Sequence, residues 1–230
     1  MKQIVVEMKN RKQIIVSCLI LFWAHCPPVF AQSSVFSIGR VKYSGGGDWY
    51  NDPSAEVNLL NYVSEKTGIA VQASYQAIEF SSDRIFSFPM LFLTGHGNII
   101  LNDLEVRRLR EYLDRGGFLF ADDDYGMDQA FRREIKKVFP EHDLVPLKRE
   151  HPLFSIKYVF KDGMPKIHEH DDKPPQALGI MRGGRLSVLY CYESNPSDGW
   201  VDASVHNTPE ENRQESFKFG TNLILYVLTQ

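Results

Sequence analysis

The chain has 230 residues, 43% of them hydrophobic and 24% charged, with a formal net charge of −3 at pH 7. That size suits one domain with a substantial core. The slight acidity disfavours nucleic acid and anionic membrane surfaces as partners.

The first 31 residues read as a signal peptide. Lys9, Arg11 and Lys12 form a basic start, Ile14 to Trp23 is an apolar run too short for a comfortable membrane span, and Val29-Phe30-Ala31 offers a cleavage site before Gln32. His25 before Cys26 disfavours a lipid-modified cysteine. Export is expected, to the periplasm of a Gram-negative bacterium, with the membrane met only on the way. Residues 32–230 would form a single α/β domain carrying about −6. Cys18 and Cys26 leave with the leader, so Cys191 stands alone and no intrachain disulfide can form.

From Val35 the pattern alternates strand and helix. Val35 to Tyr43 predicts a strand, then a turn through Gly45-Gly46-Gly47. Asp52 is placed to cap a helix opening at Pro53 and closed by Gly68. A second strand is expected near Ile69 to Ala73 and a third over Met90 to Thr94, ahead of Gly95-His96-Gly97-Asn98. Asn102 and Glu105 form a capping-box pattern for a helix that buries Val106, Leu109 and Leu113 and stops at Gly116.

Phe118 to Ala121 is a short apolar strand, of the kind buried on both faces, running into a turn made of Asp122, Asp123 and Asp124. Phe131, Ile135 and Val138 mark a further helix before Pro140. Beyond it, hairpins are expected at Asp162-Gly163, after Tyr158 to Lys161, and at Gly183-Gly184, leading into Leu186 to Tyr192. A last helix falls within 209–228. Strands alternating with helices predict a mainly parallel sheet between helical layers.

In such a sheet ligands bind beyond the carboxyl ends of the strands. Four loops would open there: 44–52, 95–98, 122–128 and 193–200. They collect Asp48, Trp49, His96, Asp122, Asp123, Asp124, Asp198 and Trp200, the candidate ligand-binding set. Asp122, Asp123 and Asp124 offer oxygen ligands to a hard divalent metal. One of them could equally serve as a general base, or merely cap the next helix. His96 could be a base or hold a backbone carbonyl. Trp49 and Trp200 could stack on a sugar or lie in the core. The triple glycine looks like an anion cradle, but Asp48 and Asp52 would repel phosphate. His168-Glu169-His170-Asp171-Asp172 matches no standard zinc spacing and reads as a solvated loop. Cys191, mid-strand, is a packing residue and a poor nucleophile.

Several segments together resemble a bacterial family, domain of unknown function 4159. They are Leu104-Glu105-Val106-Arg107-Arg108-Leu109 through Gly116 to Asp123, His151-Pro152-Leu153-Phe154, Gly184-Arg185-Leu186, Asp198-Gly199-Trp200 and Gly220-Thr221-Asn222-Leu223. The resemblance implies membership of the class I glutamine amidotransferase-like superfamily and a flavodoxin-like three-layer sandwich. It does not imply amidotransferase activity. The turn where that superfamily places its cysteine nucleophile would here be Asp122 to Asp124, and no histidine–glutamate pair is recognisable near the carboxyl end. Relatives with membrane segments and envelope domains imply a cell-envelope protein as one kind of partner, a small polar ligand being the other. The expected function is a non-catalytic binding module of the envelope, without an assigned cofactor. The alternative is a hydrolase of a polar envelope or carbohydrate-derived substrate. In it Asp122, Asp123 or Asp124 would activate water, alone or through a divalent metal, with His96 as acid or base and Asp48 or Asp198 as partner. A purely structural part of an assembly is the third reading.

Overall fold

The computed structural model describes residues 35–168 and 170–230; the leader lies outside them. Seven strands form one sheet: β1 (Ile38–Val41), β2 (Ala77–Ile78), β3 (Met90–His96), β4 (Phe118–Tyr125), β5 (Val145–Pro146), β6 (Gln176–Arg182) and β7 (Arg185–Tyr192). Their spatial order is β2-β1-β3-β4-β7-β6-β5. The first five in that order run parallel, while β6 and β5 add on antiparallel at one edge. Five helices accompany them among the described residues: α1 (Ala55–Thr67), α2 (Asp103–Asp114), α3 (Asp128–Val138), α4 (Ala203–His206) and α5 (Glu210–Thr229). None of the described helices is long and apolar enough to cross a membrane.

Both faces of the sheet are apolar because side chains alternate along each strand. Met90, Phe92, Phe118, Phe120, Leu189 and Cys191 pack with Leu59, Leu60 and Val63 of α1 and Phe219, Leu223 and Ile224 of α5. Leu91, Leu93, Leu119, Ala121, Val188 and Tyr190 turn the other way, onto Leu109 and Leu113 of α2 and Phe131, Ile135 and Val138 of α3. The result is a mixed α/β fold with helices on both faces of a mostly parallel sheet.

Local signals account for most boundaries. The Asn102 side chain accepts from the Leu104 and Glu105 amides while Glu105 accepts from the Asn102 amide, which completes the capping box. Gly68 closes α1 at φ 75°, and Gly183-Gly184 at φ 57° and 82° make the two-residue turn between β6 and β7.

Three expectations fail. The stretch Ile69 to Ala73 makes only one bridge, Phe36 to Val71, and Ala77–Ile78 is the paired strand instead. No hairpin forms around Tyr158 to Gly163, because the Tyr158 backbone is claimed by a side chain. Its amide donates to Asn222 Oδ1 at 2.9 Å and its carbonyl accepts from Asn222 Nδ2 at 2.7 Å. Asp52 does not cap α1. It holds a left-handed backbone, φ 48°, and the helix opens at Ala55 after Ser54.

Candidate functional site

The three aspartates are not in a turn. β4 continues through them, its ladder with β3 pairing Thr94 with Asp122, Gly95 with Asp123 and His96 with Tyr125. Alternation then separates the carboxylates. Asp122 turns toward Ser197 and Asp123 toward Tyr190 on the other face, while Asp124, at the point where the ladder shifts register, meets Asn51, His96 and Asn195. They cannot converge on one cation, and the expected metal site of Asp122, Asp123 and Asp124 does not form.

Asp124 is the hub of the carboxyl edge. Its Oδ1 accepts from Asn195 Nδ2 at 2.6 Å and its Oδ2 accepts from Asn51 Nδ2. His96 Nδ1 stands 3.3 Å from the same Oδ2 and 3.0 Å from Asp48 Oδ2, while the His96 amide donates to Asp48 Oδ1 at 2.5 Å. The imidazole is therefore wedged between two carboxylates. Burial disfavours its cation, but the charges of Asp124 and Asp48 outweigh that and raise its pKa. Asp48 likewise loses solvent, yet the two His96 N–H groups hold its carboxyl below the usual range. Gly95 makes this approach possible: at φ 137°, a Cβ there would collide with the Tyr43 hydroxyl and stand 3.0 Å from Asp48 Oδ1.

Asp122 lies beneath this layer, 0% exposed, its Oδ2 accepting the Ser197 amide at 2.8 Å and its Oδ1 without a hydrogen bond. Burial pushes its carboxyl well above the ordinary range, with Asp198 and Asp124 adding repulsion. Sealed in the core, Asp122 supports the edge from below and is out of reach of a ligand at its surface. Asp123 accepts from the Met127 amide at 2.9 Å and the Tyr190 hydroxyl at 3.1 Å. Burial, opposed by those two donors, lifts it to about 6. Tyr190 also stands 3.0 Å from Asp128 Oδ1, and burial and the two carboxylates keep its phenol firmly protonated.

A second group centres on Asp198, which burial and the charge of Asp124 lift to about 6. Its Oδ2 receives His168 Nδ1 at 2.7 Å, and its Oδ1 lies 3.6 Å from His206 Nε2. His206 Nε2 is in turn 3.0 Å from both oxygens of Asp52. The side chains of His168 and Asp171 stay about half exposed, 53% and 47%, as a solvated loop predicts, yet both are tethered to the site. His168 meets Asp198, the His170 ring meets the edge of Tyr125 with centroids 5.3 Å apart, and the Asp171 amide donates to Glu193.

All four expected loops do meet here. Asp48, His96, Asp124 and Asp198 come together, and Asn51, Asp52, His168, Asn195 and His206 join them unanticipated. No spacing in the sequence links His168 or His206 to the strand ends; only the fold does. The two tryptophans go elsewhere. Trp200 is 0% exposed, packed on Phe92 and Phe120 with its indole N–H donated to the Ser216 carbonyl, so it supports the site without lining it. Trp49 lines a separate cleft of about 500 Å³ with Lys42, Ile78 and Glu79. Cys191 is wholly buried, and burial drives its thiol pKa up, as its packing position predicted.

Beside the hub, over the ends of β4 and β7, a cleft of about 370 Å³ opens between Asp123, Tyr125, Asp128, His170, Asp171, Lys173, Tyr192 and Glu193. Four carboxylates and two phenol rings face one ammonium group there. Lys173 is already engaged, donating to the Tyr192 hydroxyl at 3.0 Å and to Asp171 at 3.3 Å. Glu193 and Asn195 carry left-handed backbones, φ 58° and 51°, an unfavourable conformation of the kind that gathers at functional sites.

Fold and site define an α/β domain with an acidic, imidazole-rich carboxyl edge. A family model described as domain of unknown function, DUF4159, matches residues 37–228, and the chain belongs to that family. No curated protein matches it.

Proposed function

We propose that this domain is an exported binding module whose carboxyl edge takes a small polar ligand bearing an amino group. The single observation that carries this reading is the 370 Å³ cleft, with four carboxylates around one already paired lysine. Such a lining favours a cationic group, and the exposed ring of Tyr125 offers an apolar surface to a sugar ring. An amino sugar combines both features. The leader-like residues 1–31 support export, which would place the cleft among envelope saccharides and peptides. The parallel strands follow the 2-1-3-4-5 order of flavodoxin-like folds, and this supports the amidotransferase-like placement. The superfamily's thioester chemistry is not expected, since β4 ends in acids and Cys191 is buried.

Heteronuclear NMR with glucosamine and, separately, glucose tests the reading. Glucosamine should shift the amides of Tyr125, His170 and Glu193, and glucose should shift them far less. No response at these residues to glucosamine would overturn it.

A hydrolytic reading draws on His96, whose Nδ1 is held by Asp48 while half of the side chain stays exposed. That is the posture of an oriented acid or base. Turnover of nitrophenyl glycosides that disappears in His96→Ala would support it; absence of turnover would leave binding alone.

A further inference from the structure

The group Asp52, Asp198 and His206 is distinct from the cleft and from the three strand aspartates. One ligand atom from each lies within 4.8 Å of the others. We infer that this triad binds a divalent first-row transition metal ion, with Zn²⁺ as its representative. Two observations carry the assignment. The first is Asp198 Oδ1, in a side chain 1% exposed: it accepts no hydrogen bond, yet it faces His206 Nε2 at 3.6 Å. A buried carboxylate oxygen without a donor is costly, and a cation at this point would satisfy it. The second is spacing. Nitrogen and oxygen ligands about 2.0–2.2 Å from a tetrahedral ion stand roughly 3.4 Å from one another. His206 Nε2 is 3.0 Å from both Asp52 oxygens and 3.6 Å from Asp198 Oδ1, which brackets that value.

The surroundings hold the ligands as metal sites require. His168 Nδ1 at 2.7 Å fixes the other oxygen of Asp198. The two chain segments that carry the triad are stitched together. Asn58 Nδ2 donates to the Trp200 carbonyl and to Asp202, and the Asp202 amide donates to Ser54. An imidazole in the ligand set favours zinc, copper or nickel over the harder ions magnesium, calcium and manganese. Three protein ligands leave a position open to water or to a ligand's own oxygen.

Isothermal titration of the protein with Zn²⁺, with circular dichroism to verify folding, tests the site. One ion should bind, His206→Ala should weaken it at least tenfold, and Mg²⁺ should not compete. Co²⁺ should give visible absorption that is lost in the same variant. Asp52→Asn, which keeps a side chain tolerant of left-handed backbone, is the second variant and should also weaken zinc. Absence of zinc binding, or equal affinity in folded His206→Ala and Asp52→Asn, would overturn the assignment. The glucosamine experiment uses other residues, so either proposal can fail without the other.

Discussion

Arg40 and Glu56 form a wholly buried ion pair directly beneath the loop that delivers Asp48 and Asp52 to the carboxyl edge. Arg40 Nη2 lies 2.5 Å from Glu56 Oε2, and both side chains are 0% exposed. The same guanidinium donates to the carbonyls of Trp49 at 3.2 Å, Asn51 at 2.7 Å and Asp52 at 3.3 Å, and its plane lies over Phe92. One cation in the core thus shapes the loop backbone. Removing one partner of such a pair strands the other charge. Glu56→Ala should cost about 3–5 kcal/mol in urea unfolding. A loss below 1 kcal/mol would mean that the loop is held by other contacts.

Asn222 on α5 should matter nearly as much. Its amide serves the Leu153 and Tyr158 carbonyls and the Tyr158 amide, and these bonds fix the irregular stretch between α3 and β6. Asn222→Ala leaves these groups short of partners and should destabilise by about 2–4 kcal/mol. Hydrogen exchange in segment 152–160 should accelerate with it. Unchanged exchange there would show that the segment stands without α5.

Gly220 tests the packing of α1 on α5. A Cβ at this position would collide with the Leu59 side chain and stand 3.0 Å from Trp200 Cζ2. Gly220→Ala gains helix propensity but overpacks, and a net loss of about 1–3 kcal/mol is expected from the melting temperature. Stabilisation would contradict the close approach of the two helices.

Asp123 sets a pH dependence whose sign is fixed. Its folded-state pKa, about 6, exceeds the value near 3.8 of a free aspartate. Between those values the folded state binds more protons than the unfolded one, so stability falls as pH rises through that window. Above it the whole penalty applies, on the order of 2–3 kcal/mol. Asp198 adds a fall in the same range. Asp123→Asn should therefore lose less stability than the parent between pH 4.5 and pH 7.5. Equal losses would mean that Asp123 is ionised normally.

Much of the fold was legible because its signals are local. The capping box at Asn102, the glycines at 68 and 183–184 and the apolar run of β4 each act through neighbours in the chain. The gathering of four loops at one edge followed from strand–helix alternation alone. The rest depended on contacts distant in sequence. Asn222 suppresses a hairpin 64 residues away, and His206 reaches Asp52 across 154 residues. Asp122 to Asp124 misled because carboxylates suggest a turn, whereas β3 on one side extends the ladder through them. Once they are in a strand, period-two alternation alone puts Asp123 on the opposite face. The tryptophans of the two loops were assigned by residue type, but burial of Trp200 against the stacked Phe92 and Phe120 was decided by the sheet.

The location of ligand binding is the central claim, and two variants probe it most directly. Tyr125→Ala with Asp171→Asn alters the acidic cleft at exposed positions, while Trp49→Ala alters the other cleft. Calorimetric affinity for glucosamine should fall about tenfold in the first, equivalent to about 1.4 kcal/mol, and stay unchanged in Trp49→Ala. The reverse pattern would move the binding site to the Trp49 cleft and contradict the account.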